Sequence, residues 1–90
     1  MFILAVDGRE NEGAYSVADE NGRQVLYMWE DEDDASRYAM LLEEQDYPDM
    51  HIIEVDEEMM VDVCEVHGHE YTIITKNDIV IPPNVKNDFI

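Results

Sequence analysis

The stretch 14–29, AYSVADENGRQVLYMW, decides the fold that the sequence predicts. Two apolar runs, at 14–18 and 24–29, flank the tetrapeptide DENG at 19–22. Asn-Gly is the strongest short-range signal for a β-hairpin, because both residues accept the positive φ angles of a tight turn. We therefore predict two antiparallel strands here and build the rest of the sheet outward from them.

The spacing of apolar residues differs between the segment before the hairpin and the segment after it. Residues 2–6, FILAV, are all apolar and include the β-branched Ile3 and Val6, which predicts a strand. After the hairpin, apolar residues recur at a spacing of three and four over 31–45, which predicts an amphipathic helix with Asp31 as its N-cap. The residues that carry this spacing are Ala35, Tyr38, Ala39 and Leu42.

The second half of the chain repeats the alternation of strand and helix. Strands are predicted over 51–55 and 70–75, with a helix over 57–67 between them. Asp56 is a good N-cap for this helix and Gly68 a good left-handed stop. Its apolar spacing is carried by Met59, Met60, Val63, Cys64 and His67. A short final strand at 79–81 is a further option before Pro82-Pro83 ends pairing.

The predicted element order is β-β-β-α-β-α-β, which is an α+β fold. Because strand–helix–strand connections are right-handed, we expect both helices on one face of a mixed sheet of about five strands, as a two-layer sandwich. A chain of 90 residues has room for a single domain, assigned to 1–83, with 84–90 as a C-terminal tail.

The two faces of the predicted sheet raise the question of an interface. Both alternating sets of residues in 2–6 and in 24–29 are apolar, yet two helices on one side cover only one face. Tyr15, Tyr27 and Trp29 are candidates to line the other face as an interface. A homodimer, a different protein partner, and coverage by the chain's own loops and tail all remain open.

The charge balance restricts the partners. Five basic against 23 acidic residues give a net charge of -18, which repels phosphates and disfavours direct binding of nucleic acid, nucleotides or an anionic membrane. No apolar run approaches the roughly 20 residues needed to span a bilayer, and 2–6 is too short for a signal-peptide core. With Cys64 as the only cysteine, no intrachain disulfide forms, and we expect a reducing compartment such as the cytoplasm.

The region 25–83 carries a series of short motifs. They are EDEDDA at 30–35, RYA at 37–39, LLE at 41–43, QDYP at 45–48, Val55-Asp56, Cys64 and Pro82-Pro83, with Asn11-Glu12-Gly13 upstream. In this order they resemble a family of small acidic domains of unknown function found in cyanobacteria and in plant and algal plastids. The resemblance implies an α+β fold and a cytoplasmic or stromal setting in a photosynthetic lineage. It implies no activity and no functional residue.

A metal site is the sharpest chemical hypothesis for individual residues. Cys64, His67 and His69 follow a C-x-x-H-x-H order, and a thiolate with two imidazoles is a ligand set that zinc accepts. The alternative, which we favour, is a small core cysteine beside two histidines that solvate a helix end. We therefore assign no metal and no cofactor.

Catalysis finds little support in the sequence. Cys64 and His67 could pair as nucleophile and base, but the strongly negative chain disfavours a thiolate, and no Lys or Arg lies nearby to stabilise an oxyanion. The acidic run 30–34 lacks the glycine that an EF-hand loop requires at its sixth position, and is better explained as the start of a helix. We predict that the protein is not an enzyme.

The function that the sequence favours is a non-enzymatic binding or accessory module that docks onto a protein with a basic surface. One alternative is a nucleic-acid mimic, in which carboxylates imitate phosphates and inhibit a DNA-binding protein. Another is a metal-binding protein that uses Cys64, His67 and His69.

Overall fold

The computed structural model describes residues 1–9, 13–76, 78 and 88–89, the last two by their backbone. The elements are β1 (Phe2–Val6), β2 (Tyr15–Ala18), β3 (Gln24–Trp29), α1 (Glu32–Glu44), β4 (Met50–Glu54), α2 (Glu57–His67), β5 (Glu70–Ile74) and β6 (Asp88–Phe89). The order from β1 to β5 confirms the predicted α+β succession.

The hairpin of β2 and β3 forms where the sequence predicts it. Ser16 pairs with Leu26 and Ala18 with Gln24 in antiparallel register. The Asp19 carboxylate closes the turn, because it accepts hydrogen bonds from the backbone N–H groups of Asn21 at 2.8 Å and Arg23 at 2.9 Å.

β3 is the central strand of the sheet. β5 pairs with it in parallel along its length from Val25 to Trp29. β2 and β1 share the opposite edge, with β2 at the beginning of β3 and β1 at its end. β4 is antiparallel to β1 and β6 to β2, so the sheet is mixed, as predicted.

The two helices lie on opposite faces of this sheet, and the prediction that they share one face is wrong. Tyr27 and Trp29 of β3 pack in the hydrophobic cluster that contains the buried residues of α1. The alternate residues, Leu26 and Met28, pack in the cluster that contains Cys64 of α2. The layers are therefore helix, sheet and helix, three rather than two.

The direction of the chain explains the error. From β3 the chain passes over β1 to reach β4, and from β4 it returns past both strands to β5 on the far edge of β3. Because crossovers between parallel strands keep one hand, a reversal of direction across the sheet moves the second helix to the opposite face.

Both helices begin and end as the sequence indicates. The Asp31 carboxylate accepts a hydrogen bond from the Asp33 N–H at 2.8 Å, and the Asp56 carboxylate accepts one from the Met59 N–H at 3.0 Å. Gly68 ends α2 with φ 70°, a left-handed conformation that suits a residue without Cβ. Local residues thus set the start of both helices and the end of α2.

The end of the chain is described only in part. The predicted strand at 79–81 lies outside the described residues. Within the segment assigned to a tail, Asp88–Phe89 form β6, in which Phe89 pairs with Tyr15 and Asp88 with Ser16.

Candidate functional site

The aromatic residues proposed for an interface lie in the core beneath α1. Tyr15 and Trp29 are 0% and 1% exposed, and Tyr27 is half-buried in the same cluster. The ring of Tyr38, on α1, is 5.5 Å from that of Tyr15 and 5.0 Å from that of Trp29. These residues do not form an open face, because α1 covers the side of the sheet on which they stand.

A hydrogen bond joins the two most enclosed tyrosines. The hydroxyl oxygens of Tyr15 and Tyr38 are 2.9 Å apart, so each polar tip is satisfied inside the cluster. Burial raises the pKa of Tyr38, and the hydrogen bond with Tyr15 raises it further. The role of this cluster is structural, since it packs α1 on the sheet.

Cys64, His67 and His69 are neighbours, but they do not converge on one point. Cys64 is buried and faces the sheet, whereas His67 is exposed at the end of α2. The rings of His67 and His69 stack with their centroids 6.0 Å apart, and the His69 N–H donates to the Cys64 carbonyl at 2.8 Å. Over the described part of the chain, no three His, Cys, Asp or Glu side chains are grouped in a way that could hold a metal ion.

The Cys64 thiol has the properties of a core group. Burial raises its pKa, so the thiol form is favoured over the nucleophilic thiolate. Its side chain packs with Ile3, Leu26 and Met28. This surrounding fits the interpretation of Cys64 as a small apolar residue.

A surface that the sequence analysis missed lies on α2. Met59, Val63 and Val66 are 65%, 41% and 80% exposed. They stand at positions i, i+4 and i+7, so they form one row along the helix, which we call the α2 stripe. The helical spacing groups Met59 and Val63 with Met60 and Cys64, but the residues of α2 that pack on the sheet are Met60, Val61 and Cys64. The sequence did contain a sign of this exposed surface, because α2 has more apolar residues than a single buried face requires.

A cavity and a groove adjoin the α2 stripe. The cavity, of about 230 Å³, lies between α2 and the sheet, and its lining includes Ile3, Ala14, Ile53 and Cys64. The groove, of about 430 Å³, runs over α2 and contains the whole stripe together with three carboxylates. Those carboxylates belong to Asp56, Glu58 and Asp62. Val63 lines both spaces and stands between them.

The electrostatics of α2 are one-sided. The N-cap and the helix carry the acidic residues Asp56, Glu57, Glu58, Asp62 and Glu65, and no Lys or Arg. In the described ranges, the acidic partners in ion pairs are Glu70, Asp34 and Asp31, which pair with Arg23, Arg37 and Lys76. Among the described residues, no α2 carboxylate takes part in an ion pair, so the stripe is an apolar row inside a negative field.

Comparison with protein-family models assigns the chain to a family. A family model described as a domain of unknown function, DUF3110, matches residues 1–84. The chain belongs to this family. The DUF3110 match includes β1 and the hairpin, and so extends beyond the region 25–83 in which the motifs resemble a family of unknown function. Searches among curated proteins and among solved structures found no match.

In this DUF3110 domain, then, the α2 stripe is a contiguous row of exposed apolar side chains among the described residues, and carboxylates border it. Neither helix in the described ranges is long and apolar enough to cross a membrane.

Proposed function

We propose that this DUF3110 domain is a non-enzymatic docking module that binds a protein partner through the α2 stripe. The partner presents an amphipathic helix with an apolar row and flanking Lys or Arg residues. The observation that carries the proposal is the contiguous exposure of Met59, Val63 and Val66 among carboxylates that have no ion-pair partner in the described structure.

The α2 stripe differs from other exposed apolar residues because its members lie next to one another. Met40 on α1 and Tyr71 on β5 are also exposed, at 57% and 37%, but each is a single residue on its element. Scattered apolar residues are normal on protein surfaces, whereas a contiguous row of them is a candidate interaction surface. A helix laid along such a row buries its own apolar face at the same time, which is a common mode of peptide recognition.

Charge selects the class of partner. A second copy of this chain would bring two sets of α2 carboxylates together, and like charges across an interface oppose association. Association with a basic partner is favoured instead, because complementary charge speeds and orients the encounter. The homodimer stays a prediction; light scattering over a range of salt concentrations tests it, and screening should favour it if it forms.

The cellular setting is part of the proposal and rests on the family resemblance and the lone cysteine. We place the protein in the cytoplasm of a photosynthetic-lineage cell, or in the plastid stroma if it belongs to a plastid. Fractionation of the native cell, followed by detection with an antibody, tests this placement.

The binding experiment uses a fluorescent peptide whose leucines recur every third or fourth position, with lysines on both sides of the leucine row. We expect saturable binding by fluorescence anisotropy, weakened by salt. A peptide with glutamates in place of the lysines should not bind. If a peptide with serines in place of the leucines binds equally well, charge alone is recognised, which supports the nucleic-acid mimic and contradicts docking on the stripe.

A pair of variants locates the site. The double variant Met59→Ser/Val66→Ser should bind the peptide at least tenfold more weakly, because it removes the ends of the apolar row. Met40→Ser is the matched control, since it changes a methionine of similar exposure on the other helix and should leave binding unchanged. Equal binding by the double variant and the control, or no binding by the unaltered chain, would overturn the proposal.

A further inference from the structure

We infer that the cavity behind Val63 is an anchor pocket, which receives one large apolar side chain from the partner's helix. This inference rests on the proposed function and names the feature of the partner that the site recognises. Val63 lines both the cavity and the groove, so a helix seated on the α2 stripe lies directly beside the cavity.

The lining of the cavity is suited to an apolar group. Ile3, Leu26 and Ile53 contribute aliphatic surface from three strands, and Met60 contributes it from α2. Small residues on the lining create the space, namely Ala5, Gly13 and Ala14. The described residues that line it include no Asp, Glu, Lys or Arg, and His69 is the polar side chain among them, so an apolar occupant meets mainly apolar surface.

The size of the cavity limits the occupant to one side chain. An apolar cavity of about 150 Å³ is large enough to bind benzene. A space of about 230 Å³ therefore accommodates a Leu, Met or Phe side chain. Anchors of this kind, seated in a pocket and surrounded by weaker contacts, contribute most of the affinity in many interfaces.

The carboxylates indicate which residues should flank the anchor in the partner's sequence. Asp56, Glu58 and Asp62 border the groove rather than the cavity. A partner helix with its anchor in the cavity therefore meets these carboxylates with the residues one helical turn away from the anchor. The recognised pattern is a large apolar residue with Lys or Arg three or four positions from it.

The first measurement changes only the peptide. Its central leucine is replaced in turn by Ala, Met, Phe and biphenylalanine, and the dissociation constants are compared. An anchor pocket of limited volume predicts tight binding for Leu, Met and Phe, with at least tenfold weaker binding for Ala and for biphenylalanine, whose two benzene-sized rings exceed the cavity. Affinity that rises steadily with apolar area through biphenylalanine would instead indicate a flat surface and overturn the anchor.

The second measurement fills the cavity. Ala14→Leu places extra methyl groups in it, and Ala18→Leu is the matched control, because Ala18 is an exposed alanine of the neighbouring strand that does not line the cavity. We expect Ala14→Leu to weaken peptide binding at least tenfold and Ala18→Leu to leave it unchanged, with folding of both verified by circular dichroism. If Ala14→Leu does not fold, the peptide series decides.

The two proposals fail in different ways. If Ala14→Leu binds the peptide as tightly as the unaltered chain, the anchor pocket is wrong and docking on the α2 stripe stands. If the unaltered chain binds none of the peptides, both proposals are wrong. Benzene added to the chain alone gives an independent readout, since it should shift the NMR methyl signals of Ala14 and Ile53 but not that of Ala39, which belongs to α1 and packs on the opposite face of the sheet.

Discussion

The two faces of the sheet differ in how completely their helices cover them. Among the described residues, eight buried ones form one cluster between α1 and the sheet, which includes Tyr15, Trp29 and Tyr38. On the α2 side, the buried cluster has four described residues, a cavity remains at its side, and the α2 stripe faces outward. One face therefore supplies most of the packing that holds the fold, while the other retains apolar surface that a partner can use.

Removal of the central ring on the α1 face should have the largest effect. We expect Trp29→Ala to lower the free energy of unfolding by about 3–5 kcal/mol, because it deletes a fully buried indole and leaves a cavity among the tyrosines. Met28→Ala, its neighbour on the α2 face, should cost closer to about 2 kcal/mol. Urea unfolding followed by circular dichroism measures both, since the variant lacks the only tryptophan. Equal costs, or a larger cost for Met28→Ala, would contradict the unequal packing of the two faces.

The Cys64 thiol reports on the α2 face directly. Because the side chain is 2% exposed and burial raises its pKa, alkylation in the folded chain should be at least tenfold slower than in the urea-unfolded chain. If α2 opens more easily than α1, alkylation should begin at a lower urea concentration than the change in Trp29 fluorescence. Coincident transitions would mean that the two faces open as one cooperative unit.

The tyrosine pair makes the α1 face sensitive to alkaline pH. The folded state holds the pKa of Tyr38 above the ordinary value of 10.0, so the stability that it contributes is complete below pH 10 and is lost as pH rises from there toward the folded pKa. Tyr38→Phe should cost about 1 kcal/mol at neutral pH through the lost hydrogen bond, and should reduce the alkaline loss. Melting temperatures across alkaline pH measure this, with Tyr71→Phe as an exposed control. If Tyr38→Phe lost as much stability at alkaline pH as the unaltered chain, a group other than Tyr38 would be responsible.

The smallest effect on stability is expected on the stripe. Val66→Ser should change the free energy of unfolding by less than about 0.5 kcal/mol, because the side chain is 80% exposed and packs on little of its own chain. Chemical denaturation beside the unaltered chain checks this value. A loss near that of Met28→Ala would show that Val66 serves the fold, and would remove the basis for treating the stripe as a binding surface.

Local features of the fold were predictable from the sequence, and long-range ones were not. The hairpin, both N-caps and Gly68 depend on a few adjacent residues, and the structure confirms them. The allocation of helices to faces depends on β5 pairing with β3 rather than with β4, which no local pattern encodes. Since both alternating sets of β3 are apolar, the sequence did not distinguish a strand covered on two faces from one covered on a single face.

The candidate site was missed for a related reason. A helical period shows that Met59, Met60 and Val63 lie within a broad apolar arc, but it does not say which part of the arc meets the sheet. The contact is decided by the position of α2 over the sheet, which brings Met60 and Cys64 inward. The same ambiguity placed Tyr15 and Trp29 on a supposed interface, because their aromatic character suits a core as well as a surface.

The parallel pairing of β3 with β5 also governs when the domain becomes complete during synthesis. Val25 pairs with Glu70, and half the chain lies between them. Closure of so long a loop precedes any gain from the pairing, which slows this step of folding. Until the ribosome has released β5, the nascent chain carries the apolar strand β3 with the backbone N–H and C=O groups of one edge unpaired, a state in which edge-to-edge association with another chain competes with folding.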